Sequence, residues 1–317
     1  MANYAIPSTL NTVALNTSLA NYAKTLTDNS YNDPTIYKLF NMGAAKRMVD
    51  GGLSLTETLI KEKQNAGGFY LGADVLNNSQ TNTLSTVEYR WQNAYEPIVI
   101  TRDEERANSG QVHKILDLVA TKTELSRKAI VDRLDQALSK PLSEANYLID
   151  LDTLVDTGAL GNLDGSSDTY WQATETASGT FSTQGLTDMN TATLAVSSGA
   201  NIDSPTIYIT TKTIWGKMWN TLLPLERLSN GDMTGNRGVK NLTFMGIPVV
   251  WGNYITAGTM LGINENYVRL QVDTMTDLVT TDFISPTNQT VKVAYYLWRG
   301  NLTTGNRRRQ FKLTGVS

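Results

Sequence analysis

The chain contains no cysteine and only one histidine, and these two shortages exclude most common catalytic and metal-binding arrangements. Without cysteine there is no thiol nucleophile, no disulfide and no cysteine-ligated metal. A site with several histidines is impossible, and a Ser-His-Asp triad would have to use His113. We expect His113 to be a surface or packing residue. The sequence therefore predicts no catalytic residue, no metal site and no cofactor.

Ligand-binding and targeting motifs are missing as well. There is no P-loop, no Gly-x-Gly-x-x-Gly fingerprint and no Gly-x-Ser-x-Gly elbow, although Gly231, Gly235 and Gly238 are closely spaced. No run of 18 apolar residues occurs, so we predict no membrane span, and we recognise no signal peptide. A net charge of −3 gives no overall attraction for nucleic acid.

The most prominent pattern that is present is one long helix, predicted at Gln111–Ser139 and ended by Pro141. Its apolar residues fall near helical spacing: Val112, Ile115, Val119, Leu125, Ala129, Ile130, Leu134 and Leu138. Such a helix is roughly 40 Å long, more than twice the average of about 11–12 residues. We expect this spine helix to pack its apolar face on long strands of the same subunit.

Two ribbons and an arm are predicted around this helix. Residues 52–98 indicate two long antiparallel strands with a polar, glycine-containing tip, although the first of these strands has no clean apolar face. Tyr267–Asp273 and Gln289–Trp298 indicate a second ribbon. Residues 1–50 are predicted to form an arm that has too little apolar surface to fold alone, with a helix at Thr35–Met48. A two-stranded ribbon is marginal by itself, so these parts need a further surface to cover them.

The remaining segments predict a mixture of helices and strands. Helices are expected at Leu186–Ala195 and Thr211–Leu223, and strands at Pro205–Thr210 and within Leu242–Trp251 around a turn at Gly246. Residues 101–109 indicate a short helix or turn, in which Thr101 or Ser109 caps a helix start and the acids at 103–105 complement its dipole. The tail predicts a last strand.

This order of parts resembles the major capsid protein of tailed bacteriophages, which has the Hong Kong 97-type fold. The matching segments, which cover nearly the whole chain, are YKLFNMGAAKRMVDGG, GGLSLTETLIKEKQNAGGFYLGADVL, YRWQNAYEPIVITRDEERANSG, the long helix from Val112, and the succession PTIYIT, LTFMGIPVVW and GTMLGINENYVRLQV. The resemblance implies an α+β fold in four parts. These are an N-terminal arm (1–50), an extended loop (51–98), a peripheral domain with the spine helix (99–142 and 265–300) and an axial domain (143–264 and 301–317).

The resemblance also implies a structural rather than an enzymatic function. Pentamers and hexamers of the chain would form an icosahedral shell around double-stranded DNA, without sequence-specific DNA binding and without membrane contact. The protein would be located in the virion after assembly in the host cytoplasm. We expect a separate scaffolding protein, because the arm is too short to include a fused one, and a portal and a decoration protein as further partners.

Assembly contacts are expected at eight residues of the connecting parts, namely Gly67, Gly68, Lys61, Lys63, Trp91, Arg307, Arg308 and Arg309. The arginine run has three interpretations: it contacts phosphates, forms a plain surface strand, or makes ion pairs with a neighbouring subunit. The two lysines give no reason to infer the covalent cross-links of some relatives. Changes at the two glycines should spare folding and damage assembly, whereas Leu125→Asp or Ile130→Asp should abolish folding.

Two alternatives to the phage shell stay open. An encapsulin-type compartment resembles the same fold and encloses an enzyme. A carbohydrate-active enzyme would use a pair of carboxylates, and a chain with 30 acidic residues can bring two together in almost any fold.

Overall fold

The computed structural model describes residues 31–42, 45–107, 112–144, 146–198, 203–229, 242–287 and 289–317. Most of the predicted arm, the glycines at 231, 235 and 238, and the side chain of His113 lie outside the described residues.

The described α-helices are α1 (Thr35–Met42), α2 (Arg102–Ala107), α3 (Val112–Ser139), α4 (Leu151–Leu154), α5 (Leu186–Val196) and α6 (Lys212–Ser229). Short 3₁₀ turns occupy Thr169–Trp171 and Arg307–Arg309, and a single π turn occupies Phe181–Gly185.

The described strands are β1 (Lys46–Val49), β2 (Leu55–Ile60), β3 (Leu84–Tyr89), β4 (Gln92–Thr101), β5 (Ala159–Leu160), β6 (Leu163–Asp164), β7 (Thr174–Ala177), β8 (Ile207–Thr211), β9 (Leu242–Phe244), β10 (Ile247–Gly252), β11 (Met260–Ile263), β12 (Val268–Asp273), β13 (Val279–Thr280), β14 (Val291–Thr304) and β15 (Phe311–Thr314).

The chain separates into two compact units. The spine unit comprises Asn93–Leu134 and Met275–Arg299 with the described part of Met1–Asp33, and the sheet unit comprises Pro34–Gln92, Asp135–Thr274 and Gly300–Ser317. The four-part division implied by the resemblance is a finer one and stays a prediction.

In the spine unit, helix α3 lies against strand β4 through polar contacts. Ser126 Oγ donates to the carbonyl oxygen of Pro97 at 3.2 Å, and Lys122 Nζ donates to that of Val99 at 2.9 Å. Strand β4 pairs with β14, which also pairs antiparallel with β13. Polar residues of α3 therefore contact strand β4, and the predicted packing of the apolar face of the helix on long strands stays a prediction.

Helix α2 begins with a reciprocal capping box. Thr101 Oγ1 accepts the backbone N–H of Glu104 at 3.3 Å, and Glu104 Oε2 accepts that of Thr101 at 3.0 Å. Lys122 Nζ lies 2.7 Å from the Glu104 carboxylate. Burial raises the pKa of Glu104, but the hydrogen bonds from Lys122 and Thr101 outweigh it, so the pKa is lower than the ordinary value. The prediction of Thr101 as a helix cap is confirmed.

The sheet unit is built on a six-stranded mixed sheet in the order β7-β15-β11-β8-β10-β9. Helices α5 and α6 supply Met189, Val196 and Met218 to its core, where they pack with Tyr208 and Phe311 of the sheet. The Tyr208 hydroxyl is buried in this core and forms a hydrogen bond of 2.9 Å with Thr193 Oγ1. The strand, the two helices and the hairpin predicted between residues 186 and 252 are confirmed, and helix α6 ends at Ser229, six residues beyond its predicted end.

The turn between β9 and β10 illustrates how local chemistry fixes a connection. Met245 has a φ of 53° and Gly246 a φ of 80°, a pair of positive angles that matches the twist of a tight hairpin. Pairing runs from Ile247 with Phe244 to Val249 with Leu242.

The apolar face predicted for α3 is correct only in part. Ile130, Leu134 and Leu138 are buried, whereas Leu125 is 41% exposed. Leu125 lies about 140° around the helix from Ile130, so the two cannot share one stripe. The buried face of α3 therefore excludes Leu125, and the prediction that Leu125→Asp abolishes folding loses its physical reason.

Candidate assembly site

The hairpin β2–β3 forms the base of the predicted extended loop. Its strands pair from Leu55 with Tyr89 to Ile60 with Leu84. Leu55 and Leu59 are buried on the same face, and Glu57 between them is accommodated because Gln271 Nε2 donates to its carboxylate at 2.7 Å. The first strand thus has an inward face after all, with one polar member that finds a partner far along the chain.

Asn162 and Gly161 fasten the second strand of this hairpin. The Asn162 side chain accepts the N–H of Glu88 at 2.9 Å and donates to the carbonyl of Thr86 at 3.3 Å, so it satisfies strand edge groups as another strand would. Gly161 has a φ of 68°, and a Cβ there would lie 2.7 Å from the Glu88 oxygen and from a methyl of Val87. Only glycine permits this close approach.

Aromatic side chains complete the anchoring. Tyr89 is buried, and its hydroxyl donates to the carbonyl of Thr304 at 2.8 Å. Burial raises the pKa of Tyr89, so it remains neutral. Trp91, one of the expected assembly contacts, is half-buried and donates its indole N–H to the Gly52 carbonyl at 3.0 Å. The base of the loop is therefore held firmly to the sheet unit.

Beyond the hairpin, residues 61–83 contain no strand or helix. The prediction of two long strands up to a short tip is wrong in extent, because each strand is six residues long. The strand pairing ends early because this loop is rich in residues of low strand propensity, namely Gly67, Gly68 and the Asn-rich residues 77–82.

The segment Phe69–Leu76, which we call the apolar tip, exposes more large apolar side chains than an isolated soluble chain normally does. Five of its eight residues, with the sequence FYLGADVL, have strongly exposed apolar side chains, namely Phe69, Tyr70, Leu71, Val75 and Leu76. A turn closes it, since the Leu71 N–H donates to Asp74 Oδ2 at 2.9 Å and Gly72 has a φ of 59°. Contiguous exposed apolar surface of this kind marks an interaction site.

Gly67 and Gly68 lie at the entrance to the apolar tip and are exposed. A Cβ at either would meet no atom within 4 Å, and neither has a positive φ. Their substitution by alanine is therefore free of steric conflict within the subunit, which agrees with the expectation that folding is spared. Their role in assembly stays a prediction.

The expected basic contacts separate into exposed and buried residues. Lys63 and Arg308 are exposed, and Lys61 is half-buried. Arg309 is half-buried and donates Nη1 to the Val196 carbonyl at 2.7 Å. For these four residues the assembly contact stays a prediction.

Arg307 is different, because its side chain has no exposed surface. Its guanidinium donates to the carbonyl oxygens of Thr153, Leu154, Gly158 and Trp171 at 2.7–3.2 Å. Burial lowers the pKa of Arg307 to about 10, with nearby Asp156 opposing the shift, so the group stays charged at neutral pH. The prediction of Arg307 as an assembly contact or surface-strand residue is wrong, since it organises the subunit interior instead.

Two features of this site differ from what the sequence predicts. The run FYLGADVL is predicted as part of a strand, although its closely spaced large apolar residues between polar stretches are a visible signal of an interaction site. Asn162 and Gly161 had no local signal, because their role arises from contact with residues 74 positions away.

Neither a cluster of metal-ligating side chains nor a membrane-spanning helix occurs among the described residues. No cluster of three or more His, Asp or Glu within them is positioned to hold a metal ion. Among the same residues no helix is both long and apolar enough to cross a bilayer.

Comparisons with known proteins place the fold. No family model and no curated protein matches the chain. The capsid of cyanophage A-1(L) matches with a TM-score of 0.67 and 16% identity over 94% of this chain and 97% of that one. The capsid of Myoviridae phage XM1 matches with a TM-score of 0.61 and 11% identity over 99% and 100%.

A third similar structure is the SrpI encapsulin of Synechococcus elongatus PCC 7942, with a TM-score of 0.61 and 11% identity over 99% of this chain and 96% of that one. At these identities the similarity concerns the fold, and it extends over nearly the full length of each protein. The chain therefore has the Hong Kong 97-type capsid fold that its sequence resembles, and it shares this fold with solved phage capsids and with an encapsulin.

Proposed function

We propose that this protein is a structural subunit that assembles with copies of itself into a closed icosahedral shell, as the major capsid protein of a tailed phage. The observation that carries the proposal is the apolar tip, an exposed segment on a hairpin whose base is fixed to the sheet unit. A fixed base with an uncovered apolar end is suited to lie on a neighbouring copy. The proposal is structural, and it assigns no catalytic step to the chain.

Repetition explains how such a tip finds a partner. In a shell every subunit donates its tip to one neighbour and receives a tip from another, so each exposed segment is covered by the same contact. Burial of a Phe, Leu or Val side chain contributes about 1.5–3 kcal/mol. A contact repeated in every subunit makes the closed shell stable even when each interface is modest.

Double-stranded DNA is the proposed content of the shell. The net charge of −3 supports this part of the proposal, because a chain that bound phosphates strongly over its whole surface would hinder packaging and release. A scaffolding protein, a portal and a decoration protein are proposed as partners in assembly within the host cytoplasm.

An encapsulin-type compartment is the second candidate, and the similarity to an encapsulin over nearly the full length favours keeping it. The content of the particle distinguishes the two. Shells should be purified from cells that express the chain with its neighbouring genes and treated with DNase. Protected double-stranded DNA supports the phage capsid, and a co-purified enzyme in place of DNA supports the compartment.

The shell itself is tested by negative-stain microscopy of the full-length chain, expressed alone and together with a candidate scaffolding protein. Closed particles of uniform diameter are expected. Monomers under every condition would contradict both candidates.

A further inference from the structure

A cavity of about 550 Å³ lies in the sheet unit, between the end of strand β2 and the turn that precedes β15. Lys61 and Lys63 line it from the root of the extended loop, and Arg308 and Arg309 line it from the turn. The two pairs are far apart in the sequence, so the fold rather than a local run of basic residues brings four cations to one recess.

The charge of this recess is unbalanced. No Asp or Glu lines it. None of the four cations forms an ion pair with a carboxylate of the described residues. Asp203 accepts a hydrogen bond from the lining residue Tyr267 at 2.8 Å, and this single carboxylate does not offset four positive charges.

An anion is therefore the expected occupant, and its chemical class follows from the donors. Arginine presents a planar fork of N–H groups that matches phosphate oxygens, and lysine adds a point charge with three donors. Thr58 and Asn306, which also line the cavity, contribute neutral donors. Free inorganic phosphate carries up to two negative charges, whereas a carboxylate or a phosphodiester of a nucleic acid carries one, so the free ion offsets more of the positive charge in this recess.

We propose that this cavity is a phosphate-binding site, which takes either free inorganic phosphate or a phosphate of a nucleic acid backbone. A bound phosphate would bridge Lys61 and Lys63 to Arg308 and Arg309. It would convert mutual repulsion of the four cations into attraction and tie the root of the extended loop to the body of the sheet unit. The site does not depend on the proposed shell function, since it lies within one subunit.

The test is calorimetric titration of the full-length chain with inorganic phosphate and, separately, with short single- and double-stranded oligodeoxynucleotides. Lys61→Gln/Lys63→Gln is the main variant, and Arg308→Gln is a second variant at an exposed position. Arg102→Gln/Arg106→Gln is the matched control, because it removes two exposed positive charges from the spine unit. Thermal melts show whether each variant is folded.

The site predicts that affinity for the bound probe falls about tenfold or more in both cavity variants and stays unchanged in the control. Binding of inorganic phosphate identifies a free-ion site. Binding of oligonucleotides alone identifies a backbone site. In that case the slope of log affinity against log salt concentration should become shallower by about 0.7 for each phosphate contact to a single strand that a variant loses.

Three results would overturn the proposal. One is the absence of binding by the unmodified chain with every probe. Another is an equal loss in the control and in the cavity variants. The third is that polyglutamate binds as tightly as an oligonucleotide of equal charge, which would assign the recess to acidic peptides instead.

Discussion

Replacing the large apolar side chains of the apolar tip by serine should abolish assembly and leave the folded subunit intact. Phe69, Leu71 and Val75 have relative exposures of 110%, 85% and 99%, so they contribute almost nothing to packing within the subunit. In Phe69→Ser/Leu71→Ser/Val75→Ser, the thermal midpoint of the subunit should therefore stay within about 2 °C of the unmodified chain.

The expected cost to assembly is much larger. Full burial of three such side chains on a neighbour contributes roughly 6 kcal/mol to each contact between subunits. Each 1.4 kcal/mol corresponds to about a tenfold change in the dissociation constant, so the contact should weaken by about 10⁴-fold. Because every subunit makes the contact, shells should fail to close at concentrations where the unmodified chain assembles.

The matched control is Asn78→Ser/Gln80→Ser/Asn82→Ser, which changes three exposed polar residues of the same loop. Both variants should be compared by sedimentation velocity and negative-stain microscopy under identical conditions. Assembly by the control with loss of assembly in the apolar variant is expected. Normal shells from the apolar variant would refute the reasoning, and so would unfolding of its subunit.

Three further predictions concern the subunit itself. Ile130→Asp should lower the free energy of unfolding by about 4 kcal/mol or more, because it places an unpaired charge at a fully buried position. Leu125→Asp, at a partly exposed position, should lower it by no more than about 1 kcal/mol. Denaturant melts distinguish the two variants. Arg307→Met should lower the free energy of unfolding by about 3 kcal/mol or more, because four buried carbonyl groups lose their hydrogen-bond donor. Arg308→Met should change it by less than about 0.5 kcal/mol. Equal unfolding free energies for the two variants would contradict this prediction. The depressed pKa of Glu104 in the folded state predicts a stabilisation, below about 1 kcal/mol, that is present above the unfolded value near 4.5 and is lost as pH falls through the folded pKa. The thermal midpoint of Glu104→Gln should therefore trail the unmodified chain at neutral pH and match it in acid.

Local chemistry in the sequence was sufficient to predict several elements. The ends of α3 follow from its apolar period and from Pro141, and the capping box at Thr101 follows from the residues that form it. The turn at Gly246 and the strand at Ile207–Thr211 are similarly encoded by short segments. Where neighbours along the chain decide the conformation, the prediction and the structure agree.

Features decided by distant contacts were not predictable in the same way. Arg307 stands in a run of three arginines that looks like surface, and only the fold surrounds it with carbonyls from residues 136–154 positions away. Glu57 interrupts the apolar alternation of its strand, and only the fold brings Gln271 close enough to donate a hydrogen bond to its carboxylate. The anchoring by Asn162 and the cationic cavity arise for the same reason, because both combine segments that no periodicity connects.

The most direct test of the central proposal is a cryo-microscopy map of particles formed by the full-length chain. The proposal predicts closed icosahedral shells in which Phe69–Leu76 of each subunit is buried on a neighbouring copy. A chain that stays monomeric under all assembly conditions, or a shell in which that segment is left facing solvent, would contradict it.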